Sequence, residues 1–283
     1  MNLMRFEHNE SKNIEKIMID KMHEKARSVL TENIICPEDF VDLYGAENVK
    51  KDLKYVKEKE DEYKKELSPE KQEVEKLAVA LEAIIYEQAE INDWLGSDVE
   101  TIKTSRYDDI KNKVDHIVEF YKEEDYSASH LALAIDETFS SDIDKKFKKI
   151  KEEIDNGKLT EIKYFVSERL NIRGELSKIP RVIIGVNEKT IKEVGELWLD
   201  KNNKALAQHP IQFFILEEML LQIKTFKDYA QKIKQTDIAS IYEKTEKILQ
   251  KIYDEKEDLK KSQSALENDS VYNAIKNNLK NFY

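Results

Sequence analysis

The sequence is poor in the residues that break helices or staple small folds, since 283 residues hold one cysteine, four prolines and six glycines. A single thiol, Cys36, excludes an intramolecular disulfide and any cysteine-based zinc site, and fits a reducing compartment. Scarce glycine and proline leave no room for a flexible linker and point to a helix-rich chain. Long apolar runs are missing too. Residues 1–13 carry no leader-like apolar core, and no later stretch approaches the roughly 18 apolar residues that cross a bilayer, so the expectation is a cytoplasmic protein with no membrane partner. The phosphate-binding P-loop, the dinucleotide glycine loop and the GxSxG nucleophile elbow are all absent.

Positive charge is in deficit as well, with 47 Lys and Arg against 58 Asp and Glu and a formal charge of -11. That balance argues against a nucleic-acid surface spread over the whole molecule and leaves room for a local basic groove. What the chain does have is core material: 40% of its residues are hydrophobic, enough for one large domain or two small ones.

Apolar residues recur at helical spacing in residues 14–30 (Ile14, Ile17, Met18, Met22, Ala26, Val29). Residues 37–67 offer only a thin stripe of Val49, Leu53 and Val56, as expected of a surface appendage. Ser68 and Pro69 are a helix start, and the helix they open carries Val74, Leu77, Ala78, Leu81, Ile84 and Ile85 on one face, with Glu82 at its border. Three strand-like segments follow, separated first by a polar turn at 108–112, and suggest an antiparallel meander. A helix at 142–156, a fourth strand at 162–166, an apolar run at 181–186 and a helix capped by Asn187 come next. The helix opened by Pro210 is apolar around most of its circumference, which suits a central core helix or a homodimer interface through residues 210–235. The tail from residue 236 reads as a helical hairpin, a second candidate for dimer contacts.

Two strand-like segments carry acids in apolar company. In residues 114–120 the alternation puts Asp115, Ile117 and Glu119 on one side and Val114, His116, Val118 and Phe120 on the other. The run of residues 130–135 ends in Asp136. A carboxylate there is costly to desolvate and calls for a cation, a donor or a metal. Asp108 and Asp109, beside a turn, suit hydrogen bonds to their own backbone instead. His116 and His130 lack the close spacing of a zinc site.

This order of elements, with Asp115 on the second strand and Asp136 on the third, resembles the core of the PD-(D/E)XK nuclease superfamily over residues 68–167. The resemblance implies an α/β (α+β) fold with a mixed sheet in an αβββαβ, restriction-endonuclease-like core at 68–235, flanked by a helical N-terminal extension (1–67) and a helical C-terminal tail (236–283). It implies Mg²⁺ or Mn²⁺ held by Asp115 and Asp136 with Glu82 from the first helix, and hydrolysis of phosphodiester bonds in DNA or RNA. Two positions depart from the family's pattern. Val114 replaces its proline, and Thr138 replaces its lysine, so a hydroxyl stands where a charge is needed. A lysine from elsewhere has to serve, with Lys163 or one of Lys145, Lys146, Lys148, Lys149 and Lys151 as candidates. The alternative is a catalytically inactive nuclease-fold protein acting as a binding or scaffold module.

Overall fold

A computed structural model describes residues 2–66, 68–122, 127–135, 141–262 and 268–283. Helix α1 (Asn2–Glu32) turns Ile19, Met22, Ala26 and Leu30 into the core and leaves Ile14 and Ile17 exposed, so its buried stripe is rotated from the expected one. A 3-10 turn (Pro37–Phe40), α2 (Val41–Tyr44) and α3 (Ala46–Glu66) follow. They are no loose appendage. Phe40 and Val49 pack on Tyr164, and the Tyr44 hydroxyl donates to the Lys163 carbonyl at 2.7 Å. The sequence hid this because those partners lie more than a hundred residues downstream.

Helix α4 (Pro69–Ile91) starts as expected, with Ser68 Oγ accepting from the Lys71 amide, and buries Leu77, Leu81, Ile84 and Ile85. Strand β1 (Val99–Lys103) comes next. The segment read as a polar turn is instead a short helix, α5 (Arg106–Asn112), because Ser105 caps its start and Lys113 ends it in the left-handed region at φ 61°. Strands β2 (His116–Lys122) and β3 (Ser127–Ile135) then complete the antiparallel meander, pairing Lys103 with His116 and His116 with Leu133.

After α6 (Ser141–Asp155) the chain departs from the expected order. The strand read as the fourth of the main sheet, β4 (Thr160–Ser167), pairs instead with β5 (Ile172–Ile179) in a separate antiparallel ribbon. The main sheet is completed by β6 (Arg181–Ile184), parallel to β3, in the order β1-β2-β3-β6. All four residues of β6 are buried, which suits a strand beside a parallel neighbour, whereas β5 alternates towards solvent.

The remaining helices are α7 (Glu188–Leu199), α8 (Asn203–Ala207), α9 (Ile211–Lys232), α10 (Thr236–Glu255) and α11 (Ser270–Leu279). Helix α9 is the central one, most of its 22 residues being buried within the chain, and α10 folds back along it through Lys227–Glu246 and Lys224–Gln250. It also closes the edge of β6. The Gln222 side chain accepts from the Ile183 amide at 2.9 Å and donates to the Ile183 carbonyl at 2.6 Å, covering the backbone groups that an edge strand exposes. The protein is therefore a mixed α/β fold, and its largest apolar core draws on α1, α4, β2, α6, β6, α7, α9, α10 and α11 together. Among the described residues no helix is long and apolar enough to cross a membrane.

Candidate functional site

Strand β2 turns its two faces to different neighbours. Val118 and Phe120 face the main core with α4, and His116 joins them there, its ring stacked on Tyr86 with centroids 5.2 Å apart. Ile117 and Glu119 face the β4–β5 ribbon. Asp115 stands at the entrance to β2, its carbonyl already accepting from the Thr104 amide at 3.2 Å.

On the α4 side the structure brings together a lysine that the sequence reading passed over. Lys103 ends β1 and is only 5% exposed. Its ammonium lies 2.6 Å from Glu82 Oε1, an ion-pair contact without hydrogen-bond alignment, and 3.1 Å from the Asp115 carbonyl oxygen. Burial opposes the Lys103 charge, but the carboxylates of Glu82, Asp109 and Asp115 outweigh it and hold the ammonium above its ordinary pKa. The signal for it in the sequence was weak but present. In Val99–Lys103 the alternation places Lys103 on the same face as the buried Thr101, on a strand with one side against the core.

Asp115 has the opposite imbalance. Burial, then Asp109 and Glu82, push its carboxyl up to about 7, against Lys103 and Lys146, which pull it down. Next to it His116 is fully buried, and burial followed by Lys103 drives its pKa well below the ordinary value, so the ring is neutral. Neither ring nitrogen has a hydrogen-bond partner, and Nε2 lies 3.9 Å from Glu82 Oε1, which also lacks one. Buried polar atoms left unpaired cost about 1–3 kcal/mol each, so the two ring nitrogens of His116 call for an explanation.

The other residues singled out from the sequence are placed differently. Asp136 and Thr138 lie outside the described residues. Lys163 projects from β4 to pair with Asp52 of α3, among the rings of Tyr44, Tyr107 and Tyr164 at 5.1, 5.4 and 5.2 Å, and not towards Glu82. Glu87, also on α4, accepts from the Trp198 indole. Glu119 is fully buried and accepts from His130, Tyr121 and Ser167, so His130 serves it on the face opposite His116 and the two histidines do not meet. Asp108 accepts from the Lys163 and Tyr164 amides, Ser105 and Asn112, which makes it the tie between α5 and β4. On α6, Lys148 pairs weakly with Glu152 at 3.9 Å and Lys151 lies over the Tyr229 ring at 3.7 Å.

The chemistry available around Lys103 is that of hard oxygen donors beside one fixed cation. Glu82 and Asp115 suit Mg²⁺ or Mn²⁺, which take carboxylates, waters and phosphate oxygens. Glu82 pairs with the buried Lys103 ammonium and Asp109 with Arg106, while burial with Asp109 and Glu82, against Lys103 and Lys146, leaves Asp115 holding a proton towards neutral pH. Among the described residues no three His, Cys, Asp or Glu side chains are grouped closely enough to hold a metal ion by themselves. Comparison with protein-family models, with curated proteins and with solved structures finds no match to this chain.

Proposed function

We propose that the chain is a metal-dependent phosphodiesterase acting on DNA or RNA, with a restriction-endonuclease-like core and with Lys103 in place of the lysine that Thr138 does not provide. The observation that carries this reading is the buried Lys103 ammonium set between Glu82 and Asp115. The main sheet, a β1-β2-β3 meander with β6 parallel to β3, supports it, with α5 inserted before β2 and the β4–β5 ribbon inserted before β6.

Glu82 and Asp115 would hold one Mg²⁺ or Mn²⁺, with Asp136 as the expected further ligand. When bound, the ion supplies a more acidic water and neutralises charge on the phosphate. The residues of the chain do the rest. Lys103 donates to the developing negative charge from a buried position, where its field is screened far less than at a surface. Glu82 fixes the ammonium, and the neutral ring of His116 fills the space behind it against Tyr86.

The test is cleavage of labelled single- and double-stranded DNA and single-stranded RNA with Mg²⁺ or Mn²⁺. We expect cleavage that falls at least about 100-fold in Lys103→Met and in Asp115→Asn, with both variants folded by circular dichroism, as for loss of one electrostatic stabiliser. A second reading, an inactive scaffold, is favoured by one observation: Lys103 already neutralises Glu82. Absence of cleavage on all three substrates, together with no Mn²⁺ binding by the wild-type protein, would establish the scaffold instead.

A further inference from the structure

The end of α5, three residues before Asp115, gathers more positive charge than the helix needs. Its last carbonyl, that of Asn112, accepts from the Arg181 guanidinium at 2.8 Å and from the Lys149 ammonium at 3.4 Å. Two cations already complement the partial negative charge of a helix C-terminus. Arg181 is in turn neutralised by Glu153 at 2.6 Å. Lys111 from the last turn of α5 and Lys113 from its C-cap are added to this group; both are exposed, and the Lys111 ammonium lies 5.4 Å from the Tyr55 ring centroid. Burial, then Arg181, and after them Lys113 and Lys111, push the Lys149 ammonium below its ordinary pKa, with only Glu153 opposing. Among the described residues no carboxylate lies within ion-pair distance of Lys111, Lys113 or Lys149. In a chain with 58 acids and 47 bases, three neighbouring lysines without an ion-paired acid are a local inversion of the protein's charge.

We propose that Lys111, Lys113 and Lys149 form a phosphate-binding rim that holds the sugar-phosphate backbone of a polynucleotide beside Asp115. The partner follows from the chemistry. Three ammonium groups on two helices match a run of monoanionic phosphates, and compact point charges without a rigid fork suit a sequence-independent grip. The position suits delivery of the strand to the acidic site, where Lys146 on the same helix as Lys149 also acts on Asp115. The choice of partner rests on the phosphodiesterase reading, whereas the test does not depend on cleavage.

The experiment uses the full chain in EDTA, so that binding is read without turnover, with fluorescent 20-nucleotide DNA and RNA followed by anisotropy from low to physiological salt. Lys111→Gln with Lys113→Asn removes the exposed charges, asparagine being tolerant of the left-handed backbone at position 113. Lys149→Gln is tested separately, because its side chain also ties α6 to α5. Lys244→Gln with Lys247→Gln on α10 is the control. We expect the double variant at 111 and 113 to bind at least about 5-fold more weakly at 50 mM salt. Its slope of log affinity against log salt should be shallower by about 1.4, which is roughly 0.7 for each lost contact to a single strand. The control should be unchanged. Equal affinity and slope in the 111/113 variant and the wild type, no binding by the wild type, or equal displacement by poly-glutamate would each overturn the rim. Binding that depends on the lysines without any metal-dependent cleavage would keep the rim and remove the phosphodiesterase reading.

Discussion

Two sets of carboxylates lie around the β1–β2 pair, Glu119 and Asp108 fully buried and Glu82 and Asp115 half-buried, and they differ in the donors they receive. On the ribbon side, Glu119 collects donors from His130 at 2.5 Å, from Ser167 at 2.7 Å and from Tyr121, and these hold its carboxyl below the ordinary value against the cost of burial. Asp108 likewise receives four donors, two of them backbone amides of β4. On the α4 side, Glu82 shares one lysine with its neighbours, Asp115 is pushed up to about 7, and His116 has no partner at either nitrogen. An acid with a full set of donors is explained by the fold it ties together. A carboxyl raised by neighbouring acids, as Asp115 is by Asp109 and Glu82, is not explained in that way and marks the candidate site.

The comparison breaks first at Asp108. Asp108→Ala strips two β4 amides and two side-chain donors of their acceptor in a fully buried place, and should cost about 3–4 kcal/mol in urea unfolding. A loss below about 1 kcal/mol would mean that the satisfied acids are not the structural ones.

A smaller effect of opposite sign is expected at Glu218, a third buried acid. Its Oε2 accepts from the Gly185 amide at 3.0 Å while Oε1 has no partner, and burial, with a contribution from Asp269, raises its carboxyl well above the ordinary value. A raised acid keeps its proton in the folded state. Its favourable contribution is therefore complete below the unfolded pKa of 4.5 and is lost as pH rises from there towards the folded pKa. Glu218→Gln keeps the acceptor and removes the ionisation, so it should match wild type near pH 4 and gain about 1–2 kcal/mol at pH 8. Thermal melts at the two pH values check this, and equal gains at both would contradict it.

The smallest change sharpens the unsatisfied side. His116→Phe replaces a ring with two unpaired nitrogens by one with none, still stacked on Tyr86, and should be neutral or stabilising by up to about 1 kcal/mol in urea unfolding. A loss of 2 kcal/mol or more would show that the imidazole is a structural partner after all.

Much of this was legible in residue order. The cap at Ser68, the strand alternation around Asp115 and the fully apolar character of α9 all follow from local periodicity and cap chemistry, and the structure places a helix start, a strand entrance and a central helix there. The helix at Arg106–Asn112 was missed because its residues are as common in turns as in a first helical turn, and Ser105 was not recognised as its cap. Lys103 was missed for a different reason: a lone lysine at a strand end reads as a solvated residue until its cross-strand and helix neighbours are known.

By itself the sequence determined where the long helices and the strands of the meander form, because those depend on spacing within a few residues, but not the short helix at Arg106–Asn112 or the strand at Ile172–Ile179. Only the tertiary structure decided which strand completes the sheet and which acid receives donors. Parallel pairing of β3 with β6 joins segments separated by a helix and a ribbon. The charge of a buried group is set by whatever side chains arrive from distant parts of the chain. For Glu119 these are His130, Tyr121 and Ser167, for Glu82 the arrival is Lys103, and on Asp115 both Lys103 and Lys146 act.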